Sequence, residues 1–138
     1  MALAGVLMRL PGALDSQLSG DEGLSFFEYM VLAVLSEQED RTRQMSEIAE
    51  AASVSLSRLS HAVGRLEAQG FVRRERVPGA GRRTNAVLTP AGYDKVVAAA
   101  PGHVRRVRHL VIDAVTPEDL ATLREVCGRI LTRIDAAS

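Results

Sequence analysis

The 138-residue sequence holds a single cysteine, Cys127, which excludes an intramolecular disulfide and any cysteine-based metal cluster. Its three histidines, His61, His103 and His109, show no paired-ligand spacing, so no metal or other cofactor is expected. A glycine-rich phosphate loop is also missing, as are internal repeats and low-complexity segments. No apolar run reaches the length of a membrane span. Met1 to Leu7 is apolar, but Arg9 follows that run instead of preceding it, and Pro11-Gly12 is not a small-x-small cleavage site. A cytoplasmic protein without membrane contact is expected. Neither sign of charge prevails, since 17 basic residues balance 17 acidic ones.

That balance hides an uneven distribution. Between Ser55 and Thr89, seven arginines against two glutamates leave the window at +5 and the rest of the chain at −5. A localised basic surface in a neutral chain points to a polyanionic partner. At 46% hydrophobic and 25% charged residues, the composition is that of a globular protein able to bury a core.

The basic window opens on Ser53 to Leu66, around which the chain is organised. Leu56, Leu59, Val63 and Leu66 recur at the spacing of one buried helix face. Ser57, Arg58, His61 and Arg65 fall on the opposite side, all able to donate hydrogen bonds to phosphates or base edges. Ser55 is placed to cap this helix, Val54 to staple onto Leu59, and Gly70 to stop it. A shorter helix, Glu47 to Ala52 capped by Ser46, precedes it across the turn Ser53-Val54-Ser55, giving a helix-turn-helix pattern. After Gly70 the period changes: residues 71–77 and 84–89 read as strands around Pro78-Gly79-Ala80-Gly81-Arg82-Arg83, a turn by composition. A hairpin with arginines at its tip, directly behind a helix-turn-helix, reads as the wing of a winged helix.

The flanks read as helical. Residues 3–19 carry a leucine stripe broken at Pro11-Gly12. Ser25 and Glu28 have capping-box spacing, with Leu24 and Tyr29 as a staple, ahead of a buried helix that ends in a polar loop over 36–44. Thr89-Pro90 starts a helix that Pro101-Gly102 should kink, and Thr116-Pro117 starts the last one. Cys127 lies in the apolar stripe of that last helix and is expected to be a buried structural thiol. These terminal helices carry more apolar surface than one winged helix can cover, which a dimer would explain. The expected fold is mainly α with a small β-hairpin wing. A winged helix-turn-helix domain (24–89) lies between an N-terminal dimerisation helix (1–23) and C-terminal dimerisation helices (90–138).

The stretches Leu24 to Leu32, Met45 to Ala49, Arg65 to Arg74, and Gly81-Arg82 through Leu88-Thr89-Pro90-Ala91-Gly92, in this order, resemble the MarR family of bacterial transcription regulators. The resemblance covers residues 7–138. It implies an obligate homodimer with two winged helices on a roughly palindromic operator in double-stranded DNA. It further implies repression relieved by a small, often aromatic effector. There are two departures: Ala80 stands where the wing usually has Asp, two residues before the tip arginine, and the first helix is short for the family, whose usual start is expected upstream of Met1.

Carried onto this sequence, Ser55, Ser57, Arg58 and His61 belong to the start of the recognition helix. Arg58 or His61 is expected at guanine N7 or O6, a contact worth about 1–3 kcal/mol of discrimination. Arg65 and Arg74 are assigned to phosphate, and Arg82, beside Arg83, to the adjacent minor groove. Phe27, Tyr29, Met30 and Ala33 are candidate walls of an effector cleft, or plain core. Two other readings are a winged helix used for protein contact, which the polar, basic recognition face disfavours, and a constitutive DNA-binding protein without effector. No catalytic residue is assigned, because the serines near His61 lie on one exposed helix face and not in a pocket.

Overall fold

The computed structural model describes residues 1–79 and 81–138. The chain runs α1 (Ala2–Glu22), α2 (Phe26–Glu37), β1 (Thr42–Gln44), α3 (Met45–Ala51), α4 (Leu56–Ala68), β2 (Val72–Arg76), β3 (Thr84–Leu88) and α5 (Pro90–Leu110). A 3-10 turn over Ile112–Ala114 and α6 (Pro117–Ala137) follow. It divides into two units, Met1–His103 and Val104–Ser138.

In the first unit α2 and α4 start on the predicted caps. Ser25 Oγ accepts from the Glu28 amide while the Glu28 carboxylate accepts from the Ser25 amide, a complete capping box at the start of α2. Ser55 Oγ accepts from the Arg58 amide at the start of α4. Gly23 and Gly70 take positive φ after α1 and α4, the left-handed turn that glycine adopts without strain. Ser53 takes the same conformation, φ +54°, in the α3–α4 turn. A serine thus fills the position where such turns often carry glycine.

Leu18, Leu32, Leu35, Ile48, Leu59, Val63, Leu66 and Val72 form one buried core that joins α1, α2, α3, α4 and β2. The sheet on its flank has the order β1-β3-β2, antiparallel throughout, with Thr42 opposite Val87 and Val72 opposite Leu88. Beyond the paired strands, the Val77 amide donates to the Arg83 carbonyl across the hairpin. Ala80, the departure noted in the wing, lies outside the described residues.

The hairpin base is joined to the next helix by Thr89. Its Oγ1 donates to the Gly70 carbonyl at 2.6 Å and accepts from the Gly92 amide at 3.0 Å, while its own amide donates to the Phe71 carbonyl. Gly92 sits so close that a Cβ there would stand 2.0 Å from the Phe71 carbonyl oxygen. The Thr89-Pro90-Ala91-Gly92 stretch therefore serves as cap and close contact at once.

Several local expectations are corrected. The segment 36–44 is not all loop, because Thr42–Gln44 pairs with β3, and α3 starts straight out of that strand at Met45 with Gln44, not Ser46, as its N-cap. α1 passes through Pro11 without a break and reaches Glu22. Proline's fixed φ is helical, so only one hydrogen bond and some room in the preceding turn are lost. α5 runs on through Pro101 to Leu110 as one helix, which the expected kink there permits. Leu56, assigned to the buried face of α4, is exposed, and Ala62 joins Leu59, Val63 and Leu66 in the core instead. Leu56 belongs to the first turn, where the apolar stripe runs past the end of the core.

In the second unit, Thr116 and Asp119 form a capping box at the start of α6. No residue of α6 is buried among those described, and Leu123, Ile130, Leu131 and Ile134 are exposed along it. Cys127 is exposed as well, contrary to the expected buried thiol, because nothing within its unit covers that helix face. No helix among the described residues is long and apolar enough to cross a membrane.

Candidate nucleic-acid interface

The recognition helix α4 has a cleft on each side, and together they hold all eight residues assigned to DNA. The first cleft, about 590 Å³, gathers Ser55, Ser57, Arg58, His61 and Arg65 from α4 with Asp15 of α1 and with Ser25 and Phe27 at the start of α2. The second, about 390 Å³, gathers Arg74, Arg82 and Arg83 from the hairpin with Leu56 and Ser60 of α4, Met45 and Ser46 of α3, and Thr84.

Within the first cleft, Ser57, Arg58 and His61 are exposed, and the Arg58 guanidinium lies 5.2 Å from the centre of the Phe27 ring. A cation over an aromatic face at an exposed site is worth about 0.5–1 kcal/mol, enough to favour one direction for a long side chain. Arg65 is engaged differently. Its Nε donates to Glu28 Oε1 at 2.7 Å, and the Glu28 side chain is 8% exposed against 57% for Arg65. Glu28 thus serves two partners, the Ser25 amide and Arg65. The Asp15 carboxylate accepts from the Phe26 amide at 2.8 Å, which ties α1 to the same corner.

Arg74, assigned to phosphate, is exposed but tied to α4. Its two terminal nitrogens donate to Ser60 Oγ at 3.0 Å and to the Ser60 carbonyl at 2.7 Å, and its amide donates to Glu67. It straps β2 onto α4, because a guanidinium fork fits a hydroxyl and a carbonyl side by side. Arg82 and Arg83 are exposed and face the second cleft.

The four candidate effector-cleft residues do not converge. Phe27 faces Arg58, whereas Tyr29 is buried with its ring centre 4.5 Å from that of His103, and Met30 is exposed. Ala33 is half-buried against the core. Tyr29 and Ala33, like Phe27 and Met30, are about one helical turn apart, so spacing alone would allow shared faces, and it is the neighbours packed on α2 that separate them. Burial lowers the His103 pKa, and burial followed by the negative charge of Glu37 raises that of Tyr29. His103 Nδ1 is buried with no hydrogen-bond partner among the described residues.

Sequence reasoning missed Glu28 as the partner of Arg65, Ser60 as the partner of Arg74, and Leu56, Ser46 and Thr84 as cleft residues. The helical repeat alone could have flagged Ser60, which lies one turn beyond Leu56.

A polar, basic helix face flanked by two clefts and backed by an arginine-tipped hairpin defines a winged helix-turn-helix, DNA-binding protein. The sequence model of the MarR family matches residues 22–83. The chain is 41% identical to Sco3205, a MarR family transcriptional regulator from Streptomyces coelicolor solved in complex with DNA. That alignment covers 95% of this chain and 82% of Sco3205, with a TM-score of 0.90. It is 36% identical to AbsC, a MarR family transcriptional regulator from the same organism, over 98% of this chain and 90% of AbsC, with a TM-score of 0.91. The transcriptional regulator BldR from Sulfolobus solfataricus is 26% identical over 96% of this chain and 91% of BldR, with a TM-score of 0.82. No curated protein matches the sequence. The chain belongs to the MarR family of transcriptional regulators.

Proposed function

We propose that this protein is a cytoplasmic, homodimeric repressor that binds a roughly palindromic operator and leaves it when a small aromatic effector binds. The observation that carries the DNA reading is the arrangement of the clefts: the residues assigned to DNA from α4 and its cap line one cleft, and the hairpin arginines Arg74, Arg82 and Arg83 line the other beside Leu56 and Ser60 of the same helix. The DNA complex of Sco3205 supports it. Ser57, Arg58 and His61 face bases, Arg82 and Arg83 face backbone and minor groove, and Arg65 and Arg74 chiefly hold the reading head in place. Ser55 caps that head.

The dimer reading rests on the exposed apolar residues of α1 (Leu3, Val6, Leu7, Met8) and of α6 (Leu123, Ile130, Leu131, Ile134). Residues 1–23 and 90–138 would then be dimerisation segments around a DNA-binding domain at 24–89. The effector arm rests on family membership, and the protein acts as a regulator with no catalytic step. Selection of bound sites from random duplex DNA, followed by gel shifts with competitor and with a panel of aromatic acids, tests the whole proposal. An enriched inverted repeat released by one compound is the expected result. Equal retention of all sequences would refute it.

A further inference from the structure

Leu56 is the only large apolar side chain between residues 31 and 92, among those described, that stands exposed, at 54%. Apart from Met1, every other exposed large hydrophobic among the described residues lies on α1, α2, α5 or α6. Leu56 is the first residue of the recognition helix, and it opens into the cleft shared with Ser46, Ser60, Arg82 and Arg83. It therefore occupies the surface that, on the reading above, meets DNA, and this inference rests on that reading. The N-terminal residues of such a helix are the ones that reach base edges.

Phosphate oxygens give an exposed leucine no favourable partner, and a sugar edge offers it no discrimination between bases. The major groove of a duplex presents one apolar group to such a side chain, the methyl on C5 of a pyrimidine. Thymine always carries it, and cytosine carries it only when methylated. We infer that Leu56 is a specificity-determining residue that packs on a thymine C5-methyl at one position of each operator half-site. Polar neighbours then read the adjacent base pairs while the wing arginines hold the backbone beside it.

The test starts from the site that the wild-type protein enriches from random duplex DNA. Each thymine of the half-site is replaced in turn by uracil, which lacks only the methyl, and dissociation constants are measured by fluorescence anisotropy. One position per half-site should weaken wild-type binding about fourfold, the worth of burying a single methyl group. The Leu56→Ala variant, which alters an exposed side chain in favour of the best helix former, should fold with an unchanged helical signal. It should bind the thymine and uracil sites alike at that position. Cytosine and 5-methylcytosine, each paired with guanine, are then compared at the same place. Binding in the order thymine, 5-methylcytosine, cytosine supports the assignment, whereas 5-methylcytosine binding tighter than thymine overturns it in favour of a methylated site. Indifference of the wild type to uracil at every position, or the same uracil penalty in Leu56→Ala, also overturns it. If no sequence is enriched at all, the DNA-binding reading itself has failed, and this inference falls with it.

Discussion

Removing Arg65 should reveal itself in stability before it reveals itself in DNA binding. Glu28 is buried with one carboxylate oxygen on the Ser25 amide and the other on Arg65 Nε. Stripping the cation from a fully buried pair costs about 3–5 kcal/mol, but the Arg65 end here is more than half exposed, so solvent screens much of that. What remains is one buried carboxylate oxygen without its donor, about 1–3 kcal/mol. We expect Arg65→Ala to cost about 1–2 kcal/mol, a fall in Tm of about 4–8 °C for a chain of this size at fixed protein concentration. Glu28→Gln keeps the shape and leaves Arg65 in water, so it should cost about 1 kcal/mol or less. The double variant should lose less than the two single losses combined, by about 0.5 kcal/mol or more. On DNA, a phosphate contact contributes about 0.9 to the slope of log affinity against log salt, so Arg65→Ala should leave that slope nearly unchanged. Glu28→Gln, which frees the guanidinium, should steepen it. The reasoning is refuted if Arg65→Ala leaves Tm unmoved and flattens the slope by about 0.9 per protomer, or if the two substitutions are simply additive.

Gly92→Ala should destabilise the fold by about 3 kcal/mol, because its Cβ would press on the Phe71 carbonyl and on Leu88; an unchanged urea midpoint would contradict this. Arg82→Ala should weaken binding most on sites with A·T-rich flanks and flatten the salt slope by about 0.9 per protomer, and no change on any flank would remove the wing from the interface. Replacing Leu123 and Ile130 by Asp should give aggregation or unstable monomers, which sedimentation would detect, and a stable monomer that still binds DNA would exclude α6 from the dimer. Burial holds the His103 pKa below its ordinary 6.5, so the unfolded chain takes up that proton first. The stability His103 contributes is therefore present above pH 6.5 and lost as the pH falls from there through the folded value. His103→Phe, which keeps an aromatic ring beside Phe26 and Tyr29, should flatten that limb of a melting-temperature profile.

What the sequence made legible was local. The capping residues Ser25, Ser55 and Thr116 announce helix starts because their hydrogen bonds close within three residues. The recognition face followed from the 3.6-residue period and the wing from an arginine-bearing turn. Opaque were the features that depend on distant partners. β1 is three residues long, too short to show alternation, and exists because β3 pairs with it. Arg65 and Glu28 are 37 positions apart, so nothing in the local pattern tells a strut from a phosphate contact. Leu56 fits the apolar period and is nonetheless exposed, because periodicity gives direction around a helix axis and not where the core ends. The same limit applies to Phe27 and Tyr29, whose neighbours lie on α4 and α5.

The Thr89 junction makes the wing a lever. With Thr89 bonded to Gly70, Phe71 and Gly92 together, the base of the hairpin and the first turn of α5 are tied by three hydrogen bonds through one residue. β3 then works as an arm about 17 Å long, five residues at about 3.3 Å each, with Arg82 and Arg83 just beyond its far end. Tilting the first turn of α5 by roughly 10° would sweep that end through about 3 Å, the difference between a guanidinium on a phosphate and one in water.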